Sequence, residues 1–112
     1  MNERDQTRLY DMRNEAQRAC KFLQDKTQID LETDDLLAYA VVRAIEIIGE
    51  AGSKVTEETR AQYPQIAWRN IIGMRNRIIH EYNDVDLDIV WEVVHRNLPQ
   101  LIAQLEQILL LA

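Results

Sequence analysis

Apolar residues return every three or four positions along nearly the whole chain, the spacing that lines up one side of a helix. Over about residues 4 to 25, Leu9, Met12, Ala16, Ala19 and Leu23 form such a stripe. A polar stretch from Asp25 to Asp34 follows, and then a second helix to about Lys54 carrying Leu37, Val41, Ala44, Ile48, Ala51 and Val55. Its opposite side holds Arg43, Glu46, Glu50 and Lys54 at the same spacing, most simply an exposed ladder of ion pairs. Gly49 and Gly52 each cost about 1 kcal/mol relative to alanine inside a helix, so they suggest the close approach of another backbone, although Gly52 also suits a helix end. Thr56 is a suitable N-cap for a short helix through Gln62, stopped by Pro64.

A fourth helix is expected over about Ala67 to Glu81, and a fifth from about Asp86, where Asp84, Asp86 and Asp88 favour the positive end of a helix dipole. The fifth stripe, Leu87, Trp91, Val94, Leu98, Leu101, Leu105 and Ile108, keeps its step across Pro99, which predicts a kink there and not two helices. Helices that each own one apolar stripe stabilise one another by burying it. The expectation is therefore an all-α, four- to five-helix up-and-down bundle, with residues 1–112 forming one domain.

Composition removes several function classes. Cys20 is the only cysteine and cannot form an intramolecular disulfide, and the opening residues lack a secretory apolar run, so a reducing cytoplasm is expected. The longest apolar run, Leu36 to Val42, is far short of the ~20 residues that cross a bilayer, so no membrane span is expected. A net charge of -6 argues against a general nucleic-acid coat. Yet Arg69, Arg75 and Arg77 fall close together, concentrating positive charge in the fourth helix, unless they merely decorate a solvated face.

The same helix holds the one stretch with recognisable chemistry, R-N-R-I-I-H-E-Y from Arg75 to Tyr82, an R-x4-H-x-Y pattern. Arginine supplies a permanent cation for phosphate, histidine exchanges a proton near neutral pH, and tyrosine offers a phenolic oxygen. Together they point toward RNA phosphodiester chemistry. On an ideal helix Arg75 shares a face with Trp68, Ile71, Ile72, Ile79 and Tyr82. A guanidinium in that apolar stripe needs a partner: a phosphate, or an ion pair with Glu46 or Glu50. Arg69, Gly73, Asn76 and His80 line a neighbouring stripe, where Gly73 would let a helix or nucleotide come close. His80 alone also suits an ordinary helix end.

Arg75 and His80 stand ~140° apart around the axis and ~7.5 Å along it. Either the helix ends near His80, or the arginine reaches across, or a second chain completes the site. The last two together are favoured, since a two-fold dimer would join two copies into one basic cleft. No metal is expected, because His80 and His95 lie on different helices and no ligand-spaced Cys or His motif occurs. Ser53, the only serine, has no histidine nearby in sequence.

I-G-E-A (Ile48 to Ala51), I-A-W-R-N-I-I-G-M-R-N-R-I-I-H-E-Y (Ile66 to Tyr82) and N-L-P-Q-L (Asn97 to Leu101), in this helix order, resemble the HepT toxins of the HEPN superfamily. The resemblance spans nearly the whole chain. Ala67 departs from it, standing where many relatives carry a proline at the helix start. The resemblance implies a metal-independent, cofactor-free endoribonuclease that dimerises, is the toxin of a type VII-like toxin–antitoxin pair and cleaves RNA such as tRNA. Arg75 and His80 would be catalytic, Asn76 would assist, Arg69 and Arg77 would bind RNA, and an MntA-type nucleotidyltransferase antitoxin would AMPylate Tyr82. Two other readings remain. One is a non-catalytic module that holds nucleotide or substrate for such a nucleotidyltransferase; the other is a structural helical dimer with Arg75 in a buried ion pair.

Overall fold

The computed structural model describes residues 1–81 and 84–111. The architecture is all-α, with one small β ribbon. Helix α1 spans Glu3–Phe22 and begins where the Asn2 side chain accepts a hydrogen bond from the Asp5 amide. Asp25 then turns the chain with a positive φ of 62°. The short α2 (Gln28–Thr33) opens on a reciprocal cap, in which the Thr27 hydroxyl accepts from the Asp30 amide and the Asp30 carboxylate from the Thr27 amide. Those bonds outweigh what little burial there is and hold the Asp30 carboxyl below its ordinary value. Helix α3 (Asp35–Lys54) is capped by Asp34, and α4 (Glu57–Gln62) by Thr56.

Both early stripes are buried as their spacing predicts, with Leu37 half-covered, and α1 packs chiefly on α3 and on the last helix. Asp5 is buried too. Its carboxylate accepts from the Thr56 amide (3.1 Å), the Thr56 hydroxyl (2.6 Å) and the Thr59 hydroxyl (2.6 Å), which ties the start of α1 to the start of α4. Burial pushes this carboxyl up, but the three bonds outweigh it and leave it below 3.8.

The expected fourth helix is broken. It comprises α5 (Trp68–Ile72) and α6 (Met74–Ile78), joined at Gly73, and the chain then extends into β1 (Ile79–Glu81), paired antiparallel with β2 (Asp84–Val85). A Cβ on Gly73 would lie 3.2 Å from the Arg69 carbonyl oxygen, so glycine permits this tight junction inside the segment. Gly49 meets the expectation of close approach, because a Cβ there would lie 3.4 Å from the carbonyl oxygens of Ile71 and Ile72 on α5.

The last segment is α7 (Leu87–Glu92), a π turn (Val93–Asn97) and α8 (Leu98–Leu111), running on without a break. The disturbance expected at Pro99 therefore appears as a π turn just ahead of it. The Leu98 amide donates to the Val93 carbonyl, and Pro99 has no N–H to offer the next one, Val94. The half-buried Cys20 thiol, pushed up by burial, donates to that Val94 carbonyl at 3.7 Å. Among the described residues no helix is long and apolar enough to cross a membrane.

Candidate functional site

The R-x4-H segment changes conformation between its two named ends. Arg75 and Asn76 lie on α6, and His80 lies on β1, past the end of the helix. The helix ends before His80, which does not by itself bring the pair together. Expecting Arg75 within the buried stripe was wrong. The core side of this segment is Trp68, Ile71, Met74 and Ile78, and Arg75 is exposed. Two apolar phases compete here, Ile72–Arg75–Ile79 and Ile71–Met74–Ile78. Only the second buries no charge, and it goes inward.

The Arg75 Nε donates to the Glu46 carboxylate on α3 at 3.2 Å, the partner anticipated as an alternative, but in an exposed pair and not a buried one. The ladder on α3 is correspondingly partial: Arg43 reaches Glu50 at 3.3 Å, while Glu46 faces Arg75. His80 Nε2 lies 3.8 Å from an Asp86 carboxylate oxygen, beyond hydrogen-bonding distance. Asp86 is itself fixed, since its other carboxylate oxygen caps α7 by accepting from the Ile89 amide at 3.1 Å and its amide donates to the Ile78 carbonyl at 2.8 Å.

Within one chain, then, Arg75 and His80 do not bond to each other; one turns to α3 and the other to the start of α7. Asn76, Arg69 and Arg77 are exposed, and among the described residues neither arginine makes an ion pair. Tyr82, expected to be the modified residue, lies outside the described residues. Among the described residues, no three His, Cys, Asp or Glu side chains gather as metal donors would.

Sequence reasoning had noted Asp86 only as a helix starter, and its place beside His80 depends on a ribbon that helical periodicity does not announce. It also passed over a cavity of about 120 Å³ between α5–α6 and α8, onto which Arg77, Asn70 and Asn97 face. Pro99 was the signal available for it, because the π turn ahead of that proline carries Asn97.

The model of the "Ribonuclease HepT-like" family matches residues 12–108, a span that contains both the Arg75–Tyr82 segment and the cavity. The chain belongs to the HepT-like family. A Methanocaldococcus jannaschii protein named "Putative RNase" is 32% identical, over 95% of this chain and 98% of its own length. A Caldanaerobacter subterraneus protein of the same name is 37% identical over 80% and 84%, and the "Probable ribonuclease HepT" of Thermococcus cleftensis is 35% identical over 70% and 72%. No solved structure matches the chain at a significant level.

Proposed function

We propose that this HepT-like chain is a metal-independent endoribonuclease acting as a cytoplasmic toxin. The observation that carries the reading is a family match running through a segment whose Arg75, Asn76 and His80 are all exposed to an incoming strand. In the reaction, the ribose 2′-oxygen attacks phosphorus and the bond to the 5′-oxygen breaks, leaving a 2′,3′-cyclic phosphate and a 5′-hydroxyl. His80 takes the 2′-hydroxyl proton or supplies the one the leaving oxygen needs, and Arg75 stabilises charge on the phosphoryl oxygens. Asp86 has a carboxylate oxygen 3.8 Å from His80 Nε2, close enough to favour the imidazolium that forms, while Asn76 assists and Arg69 and Arg77 hold flanking phosphates.

One chain leaves Arg75 and His80 turned apart, so the site is read as completed across a homodimer, with acid and base supplied by different protomers. Support comes from α3, whose outer face runs Leu36, Tyr39, Arg43 and Glu46 in steps of three and four. Leu36 is 81% and Tyr39 67% exposed, an apolar patch continuous with the carboxylate that holds Arg75. Tyr82 is the proposed target of a nucleotidyltransferase antitoxin of the MntA type. AMP attached two residues from His80 would fill the cleft and offer Arg75 a competing phosphate.

The separation of Arg75 from His80 is also what a non-catalytic nucleotide-binding partner would show. Incubating RNA with purified chain and chelator decides between them. The parent protein should cut, and His80→Ala and Arg75→Ala should each lose about a hundredfold or more. Arg75→Ala should melt nearly as the parent does, since an exposed ion pair contributes about 0–1 kcal/mol. RNA shifted but left intact, or His80→Ala cutting as well as the parent, would refute the ribonuclease. Tyr82→Phe should cut but escape the antitoxin.

A further inference from the structure

On the side of α6 away from Glu46 lies the cavity of about 120 Å³. Arg75 and Arg77 are two residues apart, ~200° around the helix, so they serve opposite sides of it. Arg75 faces α3, and Arg77 overhangs the cavity. The floor is apolar, made by Ile71, Met74 and Leu98, all buried, while the rim is Arg77 with the exposed amides of Asn70 and Asn97. At one end the Gln104 amide is already engaged, donating to the Gln65 carbonyl at 2.9 Å.

We infer that this cavity is a subsite for one nucleobase of the RNA strand, next to the nucleotide whose phosphate is cut. The inference rests on the ribonuclease reading for its ligand and on the cavity's chemistry for its place. An apolar floor accepts the face of a ring. Carboxamides carry a donor and an acceptor side by side, the arrangement that reads a base edge, and a guanidinium holds the attached phosphate or stacks on the ring. None of the lining residues is acidic, in a chain with 19 Asp and Glu. The volume is well under the roughly 300 Å³ where pockets for whole small molecules begin. It admits a base and leaves sugar and phosphate outside, level with Arg77.

The π turn makes the site. Its i→i+5 bonding adds a residue to the turn, and Asn97, the last residue of the turn, stands on the rim beside Leu98 of the floor. π turns inside long helices recur at functional sites, and this one coincides with the cavity.

Short 2′-O-methyl oligoribonucleotides test the subsite, because they lack the nucleophile and bind without being cut. Affinity for the full-length chain would be measured with each base, and with an abasic residue, at every position in turn. The parent should bind the base-bearing strands more tightly than the strand abasic at one position. Asn97→Ala and Asn70→Ala should weaken binding by about five- to tenfold, the scale of a lost hydrogen bond, and flatten the preference among bases. Both side chains are exposed, so melting temperatures should hold. No binding by the parent, equal binding of abasic strands, or variants that keep affinity and preference would overturn the subsite. Ordinary RNA run in parallel separates the two proposals. Binding with base preference but no cleavage defeats the ribonuclease and keeps the subsite, whereas cleavage without base preference defeats the subsite alone.

Discussion

A buried carboxylate held by three donors, none of them on a residue proposed for chemistry, ties two helix starts together. Asp5 accepts from two hydroxyls and one amide, and removing it leaves the buried Thr59 hydroxyl and the part-buried Thr56 donors without that partner. Asp5→Ala should therefore cost about 2–4 kcal/mol in urea unfolding. The pH dependence follows from the direction of its shift. The folded carboxyl titrates below 3.8, its ordinary value, so its contribution is complete above that pH and is lost as pH falls through the folded value. The parent should thus lose stability on acidification below about 3.8 more steeply than Asp5→Asn does. Sequence alone had shown Thr56 as a cap but not Asp5, since nothing local ties residue 5 to residue 56. Arg75 failed in another way: Ile72, Ile79 and the arginine formed a respectable stripe, and only the burial of Met74 and Ile78 decides against it.

Elements whose boundaries rest on local chemistry were legible, and those that rest on tertiary contact were not. Thr56, Asp86 and Pro64 mark ends that the backbone obeys, and the stripes of α1, α3 and α8 supply most of the core. The break at Gly73 and the turn into β1 were hidden, because Arg69 to His80 keeps helical spacing throughout. The seat of α5 on α3 depends on Gly49, and two opposing magnitudes decide what happens there. Gly49→Ala gains about 1 kcal/mol of helix propensity and sets a methyl 3.4 Å from two carbonyl oxygens, the inner edge of ordinary contact, so it should be close to neutral. Gly49→Leu gains the propensity but has no room, and should lose about 1–3 kcal/mol by forcing α5 off α3. A leucine variant unfolding at the parent's urea midpoint would show that the contact between α3 and α5 is soft. The comparison bears on the proposed base subsite because α5 carries Asn70 and leads into α6.

At the scale of the whole molecule, charge sets how RNA can be held. A chain of net charge -6 cannot attract a polyanion from all sides, so binding must come from a local set of cations. Arg69, Arg75 and Arg77, all exposed on two adjoining short helices, would form that set. Each phosphate neutralised on a single strand contributes about -0.7 to the slope of log affinity against log salt. One chain's three arginines therefore give a slope of about -2, and a strand spanning the cleft of a two-fold dimer about -4. Between 50 and 200 mM salt these correspond to losses of roughly 16-fold and 250-fold. His80→Ala protein, titrated with RNA across that range, supplies the measurement. A slope near -4 that falls toward -2 in a variant unable to dimerise would tie affinity to the paired cleft. A slope of about -8 would require a basic surface that this acidic chain does not have, and would sink the local reading of Arg69, Arg75 and Arg77. Glu46 competes with phosphate for Arg75, so Glu46→Gln should raise RNA affinity across the whole salt range while the slope stays near three phosphates' worth for each chain engaged.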